Sequence, residues 1–374
     1  MRNSRIRGAL LVAAVLVAPA ALRAQELDER LQIHASLNAG YGRASDLPVF
    51  GIPTEGTSDY RIFTLQFRYK LGEKDEIVTQ LLNRRLGASP IAAAIGDITT
   101  QWAYWNHRFS PNASVKVGRN PLPRGLMNEV RYIGTLFPFY RPSMEVTTDA
   151  QDALDGVVGS YSRALGGGVR ATVHGFVGGS EHRALVSSSS GLALRVARLD
   201  NMFGGQLYID LPVWDTRIGA YLSRYQFRGT TGPAGYRTNP LFSLQTKPVE
   251  PVTVRAEYSR LQGYGPLNDN RSKYAQVAWR ISDRWQLGGE HTRAEQRLFF
   301  ANTANNRDFD AVRSWGVAGN YFLRPNVVLK AEHHWRRGYV WDVNVPPTSQ
   351  TTPTVVLAPE RAGKYFIVSL ATSF

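Results

Sequence analysis

The 374-residue sequence predicts an all-β fold: a transmembrane, antiparallel up-and-down β-barrel of about 16 strands, within a range of about 14 to 18. Three observations carry that expectation. Segments alternating apolar and polar residues recur along the chain, and strand side chains alternate between faces. Short turns rich in Gly, Pro, Asn and Asp interleave with longer connections. The final segment, residues 365–374, places Phe366, Val368, Leu370, Thr372 and Phe374 on one face.

Taken in order, Arg2, Arg5 and Arg7 precede an apolar run from Gly8 to Val17 and the small-residue stretch 18–24. A basic, then apolar, then small-residue order marks a secretory signal peptide rather than a membrane span. Residues 1–24 are assigned to it, with cleavage after Ala24 or after Ala21. Residues 25–374 are expected to form one barrel domain, with no linker and no preceding plug.

The strand patterns follow. Leu31, Ile33, Ala35, Leu37, Ala39 and Tyr41 oppose Gln32, His34, Ser36 and Asn38. Phe63, Leu65, Phe67, Tyr69 and Leu71 oppose Thr64, Gln66, Arg68 and Lys70. Val252, Val254, Ala256 and Tyr258 oppose Thr253, Arg255, Glu257 and Ser259; Ala275, Val277, Trp279 and Ile281 oppose Tyr274, Gln276 and Arg280. Near the end, Val327, Leu329, Ala331 and Trp335 oppose Lys330, Glu332, His334 and Arg336. Each strand is half apolar and half polar, as a wall between lipid and water requires.

Short turns are expected at 72–74, 110–112, 165–168, 212–215, 247–251, 282–284 and 323–326. Longer connections are expected near 43–59, 86–97, 120–153, 180–200, 229–240, 262–271, 294–311 and 338–363. This alternation puts both termini on the short-turn side and requires an even strand number. Trp285, Tyr321, Phe322, Tyr69 and Phe374 fall near the short turns, and Tyr41, Trp335 and Tyr339 near the long loops. Such aromatics form two interfacial girdles.

Composition removes other classes. There is no Cys, which excludes a lipid-anchored N-terminus and a disulfide framework. The formal charge is +14, and removing residues 1–24 takes away four arginines and no acid, leaving +10. Export argues against nucleic acid as the partner of that charge. No apolar run of about 18 residues follows the leader, so helical spans are not expected.

The closing strand ending on Phe374, the loop alternation and the long third connection together resemble the Gram-negative outer-membrane porin superfamily, over the whole mature chain and through architecture more than motif. The run Pro121-Leu122-Pro123-Arg124-Gly125, followed by Asn128-Glu129-Val130-Arg131, looks like one found in porin-like proteins of unassigned substrate. The resemblance implies a third extracellular loop folded into the lumen, a homotrimer, contact with outer-membrane lipid and lipopolysaccharide, and no cofactor. It also implies that the row Phe366, Val368, Leu370 and Phe374 is the signal read by the barrel-assembly machinery.

By position in loop 120–153, Arg124, Glu129, Arg131, Arg141, Glu145 and Asp149 are constriction candidates, because charges in a narrow low-dielectric passage sort ions strongly. The alternative is a solvated extracellular cap. Arg68, Lys70, Lys116, Arg170, Arg217, Arg255, Arg280, Lys330 and Arg336 fall on polar strand faces and form a basic lumen wall. Asp210, Glu257, Glu290 and Glu332 are the fewer acids there.

Catalytic constellations are not evident. His333 and His334 are adjacent, so a strand points them to opposite faces and they cannot share a metal. His34, His107, His174, His182 and His291 are isolated, without a nucleophile partner. Gly40-Tyr41-Gly42 and Gly263-Tyr264-Gly265 open no helix, and Asn268-Asp269-Asn270 reads as a polar loop tip in preference to a calcium ligand set. The expectation is a non-enzymatic channel for passive diffusion of small hydrophilic solutes, with a weak preference for anions. A substrate-specific uptake or export barrel, and a non-conducting structural or adhesive barrel, are the alternatives.

Overall fold

A computed structural model describes residues 30–88, 95–143, 145–147, 151–188, 191–228, 235–263, 267–298, 307–338, 348–351, 354–357 and 360–374. The expected leader, Asp149 and Tyr339 lie outside the described residues.

The strands are β1 (Leu31–Ala44), β2 (Thr57–Lys70), β3 (Asp75–Leu86), β4 (Ile95–Ser110), β5 (Ala113–Pro121) and β6 (Ala153–Gly166). They continue with β7 (Val169–Ser188), β8 (Gly191–Leu211), β9 (Thr216–Arg228), β10 (Gly235–Val249), β11 (Val252–Gln262) and β12 (Leu267–Arg280). β13 (Trp285–Leu298), β14 (Arg307–Arg324), β15 (Val327–Gly338) and β18 (Arg361–Ser373) complete the wall. β16 (Thr348–Thr351) and β17 (Thr354–Leu357) form a separate two-stranded ribbon between β15 and β18.

Sixteen of these strands close into one barrel in chain order. β1 pairs with β18 from Ser36↔Ser373 to Ala44↔Tyr365. Beyond that register the Ala35 amide donates to the Phe374 carbonyl and the Phe374 amide to the Ala35 carbonyl, each at 3.0 Å. Closure leaves the barrel wall without an edge strand, as a bilayer demands.

All seven expected short turns are present, and the faces divide as the alternation predicts. Phe366, Val368 and Leu370 point outward while Tyr365, Ile367, Ser369 and Ala371 are buried inward. Phe109, Trp279, Trp285 and Tyr161 are exposed outward near the short turns, and Tyr41, Trp315 and Trp335 near the long loops. So much exposed aromatic and aliphatic surface suits lipid and not water.

Two expectations are corrected. The segment 180–200 is not a long loop: β7 and β8 stay paired out to Ser188↔Gly191. The strand passes through an irregularity between Gly178 and Ser180, and a bulge continues a strand rather than ending it. Phe322 does not belong to the outer girdle. It shares the inward parity of Asn320, and the Arg280 guanidinium lies 3.6 Å from its ring centroid.

The interior departs from a simple polar lining in two places. Tyr60, Ile62, Leu82, Leu86, Tyr365 and Ile367 form a buried apolar cluster on β2, β3 and β18, and residues 49–52, Tyr132 and Tyr140 join it. A second cluster gathers Val158, Phe176, Leu199, Met202, Tyr221, Tyr225 and Leu241 on β6–β10, with Leu122 and Val146. In the ring of sixteen these patches are nearly diametrically opposed. Residues 122–147 contribute to both.

Candidate functional site: the pore lining

The segment between β5 and β6 starts at the second cluster. Arg124 is buried there, its Nε donating to Asn239 Oδ1 at 3.1 Å, Nη1 to the Val146 carbonyl at 2.8 Å and Nη2 to Ser259 Oγ at 3.2 Å. Burial lowers its pKa, against the opposing pull of Tyr221 and Glu257. The guanidinium stays charged regardless, because its ordinary value is so high.

Gly125 follows with φ 63°, a left-handed conformation that costs other residues strain. A Cβ there would collide with the Glu257 carboxylate. The turn aims the Gly125 amide at Gln206 Oε1, 2.9 Å away, and the Leu126 amide at Glu257 Oε1, 2.7 Å away. Tyr208 donates its hydroxyl to the Gly125 carbonyl at 2.5 Å. The Pro-Arg-Gly run is therefore a docking turn against β8, β10 and β11.

The far side is held by Lys330 of β15. Its Nζ donates to the carbonyls of Gly134 at 2.5 Å, Phe137 at 2.5 Å and Phe139 at 3.0 Å. Glu332 accepts the Tyr140 amide at 2.7 Å, and Asn38 Nδ2 donates to the Tyr140 carbonyl at 2.6 Å. Arg336 meets Glu145 at 2.6 Å. Burial raises the Glu145 carboxyl, but the Arg336 charge and hydrogen bond outweigh it and hold it below its usual 4.5. In the same surroundings, burial drives the Tyr140 hydroxyl well above its usual range.

The expected site residues thus fall into two groups. Arg131 is buried and donates to Asn128 Oδ1 at 3.1 Å and the Thr147 carbonyl at 3.0 Å; Arg141 lies 4.7 Å from the Phe50 ring centroid. Together with Arg124 and Glu145 they stitch the segment to itself and the wall. Glu129 is exposed. It lies within electrostatic reach of Tyr104, His174 and Tyr208.

The basic wall divides in the same way. Lys330 and Arg336 are 2% and 4% exposed and engaged by the segment, so they are anchors there. The other residues lie on the inward parity of their strands. Lys116 Nζ lies 5.3 Å from the Tyr104 ring centroid, and Arg217 stacks on Tyr208 while gripping Asp210 at 2.6 and 3.1 Å. Arg255 reaches Gln245 at 2.9 Å and Gln276 at 3.3 Å; Arg280 donates to the Asp283 carbonyl at 2.5 Å. Arg68 lies 3.6 Å from Glu76, a carboxylate that it shares with Arg108. Lys70 and Arg170 are exposed at the short-turn end.

Sequence reasoning missed the anchors Asn38, Asn239, Ser259 and Gln206, and the inward apolar patches. One signal was present: Tyr60 and Ile62, Leu82 and Leu86, and Tyr365 and Ile367 are apolar at positions that should face water. Among the described residues no group of three metal-ligating side chains assembles.

No protein-family profile matches the chain, and no curated sequence does either. Solved structures do. OmpT of Vibrio cholerae, expressed in the outer membrane, superposes with a TM-score of 0.58 at 10% identity over 94% of this chain and 100% of that one. OmpF of Salmonella typhi, in complex with daunomycin, gives 0.59 at 10% identity over 92% and 97%. An anion-selective porin from Comamonas acidovorans gives 0.55 at 10% identity over 92% and 99%. The fold is that of a porin-like outer-membrane β-barrel.

Proposed function

We propose that the chain is an outer-membrane channel through which small hydrophilic solutes diffuse passively, with a weak preference for anions, and that it catalyses no reaction. The observation that carries this reading is the inner face of the sixteen-strand barrel. Segment 122–147 is tied to two opposite patches of that face, so the water path narrows to the side left open. At about sixteen strands a lumen is too wide for wall side chains alone to fill.

The selectivity rests on which charges remain free. Among the described residues of the segment Glu129 is the exposed acid, acting on His174 together with Lys116 and Arg217; Arg217 also holds Asp210 and Arg68 shares Glu76, while Arg255 lies nearer the short turns. Cations outnumber acids there, and focusing in a low-dielectric passage amplifies the difference. The Comamonas relative, described as anion-selective, supports the same sign. Residues 1–24 are read as the export signal and the outward row ending on Phe374 as the assembly signal. A homotrimer is in keeping with the OmpT of Vibrio cholerae, one structure of which is described as its trimer form.

Reconstitution in planar bilayers tests the reading: stepwise conductance and a reversal potential of anionic sign under a salt gradient are expected. Absence of conductance steps refutes the channel, and a cationic sign refutes the preference.

A further inference from the structure

The short-turn mouth of the barrel holds an unbalanced basin of charge. A cavity of about 770 Å³ opens beside the turn between β2 and β3, lined by Arg30, Lys70, Lys74 and Arg108 together with Glu73, Asp75 and Glu76. The register sets these cations in two opposed pairs. One step beyond Leu31↔Tyr69, the Lys70 amide donates to the Arg30 carbonyl at 2.8 Å; one step beyond Asp75↔His107, the Arg108 amide donates to the Lys74 carbonyl at 2.8 Å. Like charges directly opposite each other destabilise a sheet, and here two such pairs flank a single turn. Lys70 and Arg108 share the parity of buried Thr64 and Asn106, so the basin faces the lumen and not the lipid.

The acids of the basin do not neutralise it. Asp75 turns outward, where its carboxylate accepts from Trp105 Nε1 at 3.0 Å and meets His107 Nδ1 at 2.8 Å. Glu76 is buried and divided among several partners. Asn106 Nδ2 donates to it at 2.8 Å, and Arg68 and Arg108 each stand 3.6 Å away. Glu73 is then the remaining acid against Arg30, Lys70 and Lys74. All three cations are exposed, and none of them forms an ion pair among the described residues. Charge left unpaired inside a walled concavity, rather than on an open rim, attracts an anion strongly, because the walls focus its field.

We propose that this basin binds a small multivalent oxyanion, one carrying two or three oxyanionic groups on a short chain. One group lies between Arg30 and Lys70, and another between Lys74 and Arg108. Each pair offers one planar guanidinium fork and one mobile ammonium, a combination suited to an oxyanion. Opposed cross-strand Cβ atoms are about 5 Å apart, a span that one such group bridges. The two pairs lie two strand spacings apart, about 10 Å along the rim. An anion with a single centre therefore engages one pair, whereas a chain of several centres engages both. Binding itself needs no conduction; its effect on current rests on the channel reading above.

The test titrates folded full-length protein in detergent micelles with tripolyphosphate and with orthophosphate, and adds tripolyphosphate to each side of planar bilayers in turn. Wild type is expected to bind tripolyphosphate about tenfold more tightly than orthophosphate, since the second pair acts at high effective concentration, and its current is expected to be interrupted from one side only. R30Q/K74Q removes one cation from each pair and is expected to weaken binding about twenty-five-fold, from roughly fivefold per cation, with the barrel still folded by heat-modifiability on gels. E76Q releases Arg68 and Arg108 and is expected to tighten binding about fivefold. Equal affinity for the two phosphates, R30Q/K74Q that binds like wild type, or E76Q that does not tighten binding overturns the site. Wild type that binds tripolyphosphate selectively but shows no conductance steps supports the site and refutes the channel; wild type that conducts without binding it refutes the site alone.

Discussion

Replacing Lys330 with Met keeps most of the stem volume and removes the ammonium that holds residues 134–139. Wild-type Lys330 is 2% exposed and donates three hydrogen bonds to carbonyls of that segment, at 2.5, 2.5 and 3.0 Å. Charge-assisted bonds contribute roughly 1.5–3 kcal/mol each, so the gross loss is about 5–9 kcal/mol. The variant no longer buries an ammonium, which returns several kcal/mol. Three carbonyls left without that donor hold the net cost of docking near 3–5 kcal/mol, the range found when one partner of a buried charge interaction is removed. Even 3 kcal/mol raises the undocked population more than a hundredfold. Single-channel recording reads this directly: K330M is expected to show a noisier open state and higher mean conductance, with the barrel folded by heat-modifiability on gels. Traces indistinguishable from wild type would sink the idea that Lys330 tethers the segment.

The remaining expectations concern the same segment and the free charges. Glu145 is held below its ordinary 4.5 by Arg336, so its contribution is fully present above that value and fades only as pH falls further below it. Open-channel noise should stay flat from neutral pH to 4.5 and rise in stronger acid, whereas E145Q should be noisy throughout, as pH-stepped recordings will report. Gly125→Ala forces a side chain into φ 63° and against Glu257, at a cost of about 1–3 kcal/mol; faster proteolysis of residues 122–147 is the readout. Glu129→Gln should strengthen anion preference and Arg217→Glu should weaken it, both visible as shifts in reversal potential. Deleting Phe374 should impair outer-membrane assembly while synthesis and export continue, judged by membrane fractionation.

The wall was legible in residue order because its cause is local. Lys330 and Leu329 differ in chemistry, a strand turns them to opposite faces, and repetition of that contrast implies lipid on one side and water on the other. Turn chemistry separated the strands, since Gly166-Gly167-Gly168 and Asn326 favour reversals wherever they occur. The same local rules misled over 180–200, where β7 and β8 stay paired out to Ser188↔Gly191, and at Phe322, whose face follows from the register of its strand and not from its aromatic character.

What the sequence determined by itself was the barrel, its orientation of faces and the presence of a long third connection charged along its length. What only the tertiary structure decided was which of those charges are free. Arg124, Arg131, Lys330 and Arg336 look from the sequence like pore charges, yet each is consumed by contacts within the segment or with the wall, while Glu129, Lys116 and Arg217 stay accessible. Burial of Arg124, Lys330 and Arg336 depends on partners 100 to 200 residues away, as between Lys330 and Gly134, and no alternation of neighbours encodes that distance. Lys273, Arg293, Arg313 and Arg337 make the same point: each is a lone cation in its own strand pattern, and only the register of the sheet sets them directly opposite one another.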